Sequence, residues 1–198
     1  MQLASHFGER GFKWNRELNE YRLPFDGGHQ VISIQRQEGP IEHSLNITFG
    51  VRNEIVESTL QPFLPHYSPS NSITAALQMQ SFLNDTELFQ FKKANTQKSI
   101  HFIMRFFEED GYQMMRDLKD IHHVENLYNQ HATIPTSICT DSTARCFRGI
   151  VLARMTNNPK WNDIHKTFLN HLENSPQSSD VFHHYMRLIE YLNGFGFN

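Results

Sequence analysis

Cysteine is nearly absent from this chain: its 198 residues contain two, Cys139 and Cys146. Two thiols could close one disulfide, but they cannot form the framework that holds small secreted folds together. In a chain long enough to bury a full core they read as reduced and partly buried. An excess of one charge is also missing. The net charge is −3 and neither sign forms a long run. The densest acidic group is Glu108-Glu109-Asp110, and the clearest basic grouping is Arg145, Arg148 and Arg154. A general nucleic-acid binder carries a stronger basic excess, so nucleic acid is not an expected partner. No apolar run approaches the ~20 residues of a membrane helix, so no membrane association is expected. Met1 to Trp14 lacks the basic and apolar regions of a signal peptide, which makes the cytoplasm the expected location.

Two catalytic signatures are absent as well. Gly27-Gly28 is not followed by the lysine and helix of a nucleotide-binding loop. Histidine is abundant, with adjacent pairs at His122-His123 and His183-His184 and single residues at His101, His131, His165 and His171. Neighbouring histidines point to different faces of a helix, and there is no His-Glu-x-x-His and no Cys-x-x-Cys step. The expectation is therefore no cofactor, no metal ligands and no catalytic residues.

What is present is a meander. Leu45, Ile47, Phe49 and Val51 alternate with Ser44, Asn46, Thr48 and Gly50, the two-residue period of a strand with one apolar face. Val31, Ile32 and Ile34 form a second strand, and Tyr21, Leu23 and Phe25 a third. Gly27-Gly28 turns between these two, and Gly39-Pro40 punctuates the next connection. Before the meander, Leu3 and Phe7 share a face of a short helix that stops near Gly11, and Phe12 and Trp14 lead into the sheet. Beyond Arg52 the alternation ends, and Gln61 to Ser72, with Pro62, Pro65 and Pro69, reads as a surface loop.

The remaining chain is read as mainly helical. A helix is expected from Ser72 to Leu83, with Ser72 as its cap and Ile73, Ala76, Leu77 and Gln80 on one stripe. Glu87 to Phe91 fits either a short fourth strand or a helix end. Ile100, Ile103, Met104 and Phe107 form a buried helical face that Gly111 ends or kinks. Met114, Leu118, Ile121 and Val124 carry the next helix to about Tyr128. After a loop from His131 to Ser142, a helix from Thr143 turns Phe147, Ile150 and Val151 inward. Asn158-Pro159 starts another helix, carrying Trp161, Ile164, Phe168 and Leu172, and a last one runs from about Ser179 to Asn193. The fold class is α+β: an antiparallel sheet of three to four strands near the N-terminus, packed against a C-terminal group of helices. One domain is expected over residues 1–198, mainly strands over 1–60 and mainly helices over 72–198.

The string Phe7-Gly8-Glu9-Arg10-Gly11-Phe12, the strand at Tyr21, Val31-Ile32-Ser33-Ile34-Gln35 and Leu45-Asn46-Ile47-Thr48-Phe49-Gly50-Val51 resemble a family of small bacterial proteins grouped as a domain of unknown function. Its members open with a helix and a glycine-phenylalanine step, then run through strands of this pattern. The stretches His101 to Glu109 and Leu152 to Pro159 are similar too. The resemblance brings no catalytic residues. It implies the fold, and an association with bacterial toxins and contact-dependent competition systems.

The polar candidates each have two readings. Cys139, Asp141 and Ser142 precede a helix, where a cysteine could be a nucleophile with His131 or His122 as base, while Asp and Ser there are also ordinary caps. Asp117, Asp120, Glu108 and Glu109 could pair as carboxylates, or simply mark the wet faces of helices. Trp14, flanked by Lys13, Asn15 and Arg16, suits a protein interface or a partly buried sheet edge. The leading expectation is a non-catalytic protein-binding protein, an immunity or antitoxin-like inhibitor of a toxin, with Glu108, Glu109, Asp110 and Trp14 as partner-binding residues. The competing class is a hydrolase or metal-dependent enzyme using histidines with Cys139 or Asp141. A deep pocket holding two or more of those side chains would favour the second.

Overall fold

The computed structural model describes residues 2–38, 43–64, 72–82, 90–91, 96–174 and 179–194. Helix α1 (Gln2–Glu9) is followed by strands β1 (Lys13–Asn15), β2 (Glu20–Phe25), β3 (Gly28–Glu38) and β4 (His43–Asn53). Consecutive strands pair antiparallel, so the three strands of the sequence pattern form the expected meander. Gly27, at φ +86°, supplies the left-handed residue of the β2–β3 turn. Register follows the hydrophobic alternation. Trp14, Tyr21, Ile32 and Phe49 lie side by side on one face, and Asn15, Glu20, Ser33 and Thr48 on the other.

The sheet is wider than expected. The described part of the stretch read as a helix, residues 72 to 82, instead holds strand β5 (Ala75–Gln78) and a single 3₁₀ turn, Met79–Phe82. Ser72 therefore caps no helix. The apolar spacing that suggested a helical stripe is short enough to fit either period, and the unpaired edge of β4 decides between them. Phe49 lies opposite Leu77 and Val51 opposite Ala75. At the intervening pair, Gly50 and Ala76, the strands come so close that a Cβ on Gly50 would sit 1.9 Å from the Ala75 carbonyl oxygen. Strand β6 (Gln90–Phe91) pairs with the other end of β4, which resolves the strand-or-helix choice for those two residues. The Gly39-Pro40 connection, Pro65, Pro69, Tyr67 and Phe89 lie outside the described residues.

A helix also stands where none was expected. Asn53 ends β4 and caps α2 (Glu54–Leu60), its side-chain oxygen accepting from the backbone N–H groups of Ile55 and Val56 at 3.1 Å. Further on, α3 (Thr96–Phe106) does not stop at Gly111. It passes through a π-helical turn, Phe107–Gly111, into α4 (Tyr112–Asp117). The extra residue brings Phe106 and Phe107 together onto the sheet, with ring centroids 5.6 and 5.5 Å from Phe49. Glycine is needed at 111 because a Cβ there would meet the Phe107 ring at 2.7 Å. The helix expected from Met114 to Tyr128 is broken at Asp120, whose side chain caps α5 (Ile121–Asn129).

Helix α6 (Ser142–Met155) is the centre of the helical layer. It is buried continuously from Ala144 to Ala153 and packs against α2, α5, α7 (Trp161–Glu173) and α8 (Ser179–Gly194). Asn158 does not cap α7 directly; its oxygen accepts from the Lys160 N–H at 2.8 Å, one turn earlier. One apolar cluster joins Phe7, Ile32, Phe49 and Phe107 on the sheet side to Phe147, Ile150, Phe168 and Leu188 among the helices. The architecture is α+β, with the antiparallel sheet in the N-terminal half and the helices gathered after it. Among the described residues no helix is long and apolar enough to cross a membrane.

Candidate functional site

The expected basic grouping is not a surface feature. Arg145 and Arg148 are both buried within α6. The Arg145 Nη2 donates to the carbonyl oxygens of Tyr128 and His131, at 3.2 and 2.9 Å, and so closes the C-terminal end of α5. Arg148 makes a two-pronged ion pair with the fully buried Glu57 of α2, Nε to Oε1 at 2.8 Å and Nη2 to Oε2 at 3.0 Å. Burial works against the Arg148 charge, but the Glu57 carboxylate outweighs it and holds the guanidinium above its ordinary value. Glu57 also accepts from the Thr74 hydroxyl at 2.8 Å, and that hydroxyl accepts from the Asn53 N–H. Tyr128 donates to the Thr74 carbonyl, and burial keeps its phenol protonated by pushing it well above the usual range. This knot ties α2, β4, β5, α5 and α6 together.

Beside the knot, the second face of the sheet opens into a cleft of about 350 Å³. Its floor is the polar row Glu20, Ser33 and Thr48 with Gln35, and its far wall is Ile138 to Asp141 with Arg148. Asp141 acts as the cap of α6, its side chain accepting from the Ala144 N–H at 2.9 Å. Cys139 is half-buried, with its Sγ 3.9 Å from the Arg148 Nη1. The cleft thus gathers Cys139 and Asp141, but no histidine is among its described lining residues. His131 sits on the turn after α5 with an exposed side chain, and His122 is exposed on α5.

The other histidines are scattered. His165 stacks on Tyr185, and burial, helped by the neighbouring Lys166 charge, lowers its pKa. His101, His123, His171 and His183 are exposed. Among the described residues no group of three or more His, Cys, Asp or Glu side chains is placed to hold a metal ion.

Cys146 differs from Cys139. It is buried in α6, and burial pushes its thiol from 9.0 up to about 12. Below pH 9 both folded and unfolded chains keep that proton. Between pH 9 and 12 the unfolded chain releases it and the folded chain does not, so stability falls as pH rises through this window. Cys146→Ala is expected to flatten the fall beginning at pH 9, leaving the later decline from Tyr128 and Tyr185, whose phenols burial also raises. Urea melts at a series of alkaline pH values measure it; an unchanged slope in the variant would exclude this cause.

The acidic cluster lies on the π-helical turn, and its members are not equivalent. Glu108 is engaged by Arg10 through both guanidinium prongs and lies 3.7 Å from the buried His6. Glu109 is 3.6 Å from Arg105 Nε. Asp110 is exposed and makes no ion pair among the described residues. The turn forms one rim of a groove of about 290 Å³ whose walls are Phe82, Phe102, Phe106 and Met114, with Arg105, Glu109 and Asp110 at the edge. Phe82 is 44% exposed there. Trp14 is elsewhere, on the edge strand β1, 47% exposed and packed on Tyr21 at 4.8 Å between ring centroids.

Sequence reasoning found the acidic residues but not the apolar groove they border, because Phe82 was assigned to a helix that does not exist. Glu57 was missed altogether. Its only signal was a carboxylate at an apolar position of an unrecognised helix, between Val56 and Leu60. Comparison of the chain with protein-family models, curated proteins and solved structures returns no match.

Proposed function

We propose that the protein acts by binding another protein, as an immunity or antitoxin-like inhibitor, and that the groove beside the π-helical turn is its working surface. The observation that carries this reading is the pairing of the exposed Phe82 and the half-buried Phe102 and Met114 with an acidic rim. Aromatics and Met supply adaptable apolar contact, and interfaces are enriched in both. Arg105, Glu109 and Asp110 together leave one net negative charge at the edge. The fitting partner segment is an apolar side chain flanked by a lysine or arginine, with the rim charge steering its approach. Glu108 does not belong to this surface, since Arg10 holds it. The cleft does gather two of the side chains that an enzymatic reading needs, Cys139 and Asp141, which keeps that reading as the alternative; against it, Asp141 caps α6 and the Arg148 beside Cys139 is bound to Glu57.

The test is co-expression in a bacterial cell with candidate toxins drawn from whatever the neighbouring genes encode. Protection of the cell is expected. Phe82→Ser combined with Glu109→Lys and Asp110→Lys should weaken binding by about 2 kcal/mol or more, since truncating a central aromatic anchor costs that much. The charge reversals alone should act mainly on association rate, and less so at high salt. Cys139→Ala, His131→Ala and Asp141→Ala should each leave protection intact. If Cys139→Ala or His131→Ala abolishes it while the fold survives, the protein works by chemistry and not by occlusion.

A further inference from the structure

The helix that borders the groove carries one residue more than its core requires. Its buried positions are separated by two less buried residues at 104–105, 113–114 and 116–117, but by three at 108–110. The Tyr112 N–H accordingly donates to the Phe107 carbonyl, five residues back, and the turn is π-helical. Gly111 is buried and packs against the Phe107 ring, so the surplus is confined to Glu108, Glu109 and Asp110. What fixes it there comes from outside the helix. Arg10, just after α1, engages both carboxylate oxygens of Glu108, and its guanidinium carbon lies 5.4 Å from the Tyr112 ring centroid. The His6 Nε2 and the Tyr112 hydroxyl are 3.2 Å apart, and Phe7 meets the Phe107 ring edge-on at 5.2 Å. Both ends of the turn and its first outer residue are thus held from α1. The groove uses the others: Glu109 and Asp110 at its edge, Phe106 and Met114 in its walls, with no α1 residue in its described lining.

We infer that α1 is a latch on the groove: by pinning Glu108 and Tyr112 it sets the register of the π-helical turn, and with it the position of the acidic rim. This is a regulation of the surface named above, and its biological use rests on that reading. With Arg10 released, the surplus residue is free to pass along 108–110. Glu109 and Asp110 then turn relative to Phe106 and Met114, and the groove changes shape. Two sites coupled in this way act on each other equally. A segment seated in the groove therefore tightens α1, and a change that lifts α1 weakens binding in the groove. The Arg10–Glu108 pair suits a latch because both side chains are exposed. An exposed pair adds little to global stability, so it opens without unfolding the sheet.

The test needs no partner. Amide hydrogen exchange is followed along the turn, and the Met114 methyl, labelled with carbon-13, reports on the groove wall by NMR. Arg10→Glu is expected to speed exchange at 108–111 about fivefold, the lower end of ordinary coupling between sites, and to shift or split the Met114 signal. Exchange within α6 and the melting temperature should stay as in the unaltered protein. Arg10→Glu combined with Glu108→Arg should restore both readouts, because the reversed pair closes the latch again. If Arg10→Glu does not fold, Arg10→Gln removes the charge with less disturbance and is read in the same way. An unmoved Met114 signal would overturn the inference, since a surface pair with no hold on the groove leaves that methyl alone. Unchanged exchange at 108–111, or a reversed pair that restores neither readout, would overturn it too. Protection of a cell by a protein whose Met114 signal ignores Arg10 would discard the latch and keep the binding reading.

Discussion

Glu57→Ala is expected to cost about 3–5 kcal/mol, the usual result of removing one partner from a buried ion pair. The effect should be large because the deletion strands three donors on two side chains at once. Arg148 would keep its charge in a site that is 8% exposed, with no carboxylate to receive its Nε and Nη2 donors. Thr74 would lose the acceptor of its hydroxyl, and with it part of the junction between β5 and the start of α2. Glu57→Gln retains the shape and an acceptor oxygen, so its cost should be smaller. Arg148→Met in the Glu57→Ala background should recover part of the loss, because a neutral pair leaves no charge uncompensated. Denaturant midpoints for the two single variants and the double variant measure the coupling. Additive losses would mean that the two side chains do not act as a pair.

The second large effect is expected at Phe49. Its side chain is fully buried at the meeting of the sheet with the π-helical turn, where Phe82, Phe106 and Phe107 surround it. Phe49→Ala should cost about 3–5 kcal/mol, combining lost transfer energy with the cavity left behind. Phe49→Leu retains most of the burial but loses the edge-to-face contacts with Phe106 and Phe107, each worth about 0.5–1.5 kcal/mol. The alanine variant should also loosen Phe82, a wall of the groove. Partner binding is therefore expected to weaken in that variant even though Phe49 touches no partner. A stability loss below about 1 kcal/mol would mean that β4 presents its other face to the core.

The meander was legible because a two-residue period cannot be mistaken over eight residues, and burial of Ile47, Phe49 and Val51 follows from it. Strand β5 was not legible. Ile73, Ala76 and Leu77 fit a helical stripe as well as a strand, and only the edge of β4 selects between them. Helix α2 left a signal that went unread: Asn53 as cap, then Val56 and Leu60 four residues apart. The ion pair of Glu57 with Arg148 joins residues 91 positions apart, a distance at which no sequence periodicity operates. The cleft and the groove share this difficulty, since each is assembled from several elements. What sequence did supply was the chemistry of single positions, such as Asp141 as a cap; the acidic run at 108–110 is divided by its partners, Glu108 going to Arg10 and Glu109 to Arg105.

The placement of Ile138 has a consequence for how this protein behaves in crowded solution. A sheet offers its outermost backbone groups to any passing strand, and long open borders are where folded chains join into fibrils. Here β5, together with the two-residue β6, forms one border, and the Ala76 N–H that would otherwise face outward donates to the Ile138 carbonyl at 2.9 Å. The loop before α6 thus acts as a selvedge, binding off the backbone before another molecule can add to it. The opposite border is β1, three residues long, where Lys13 is exposed and the chain turns away after Asn15. A short charged border is a poor template for growth. Cutting the selvedge, for instance by shortening the 136–139 turn, would free the Ala76 N–H and offer that part of the border to a neighbour.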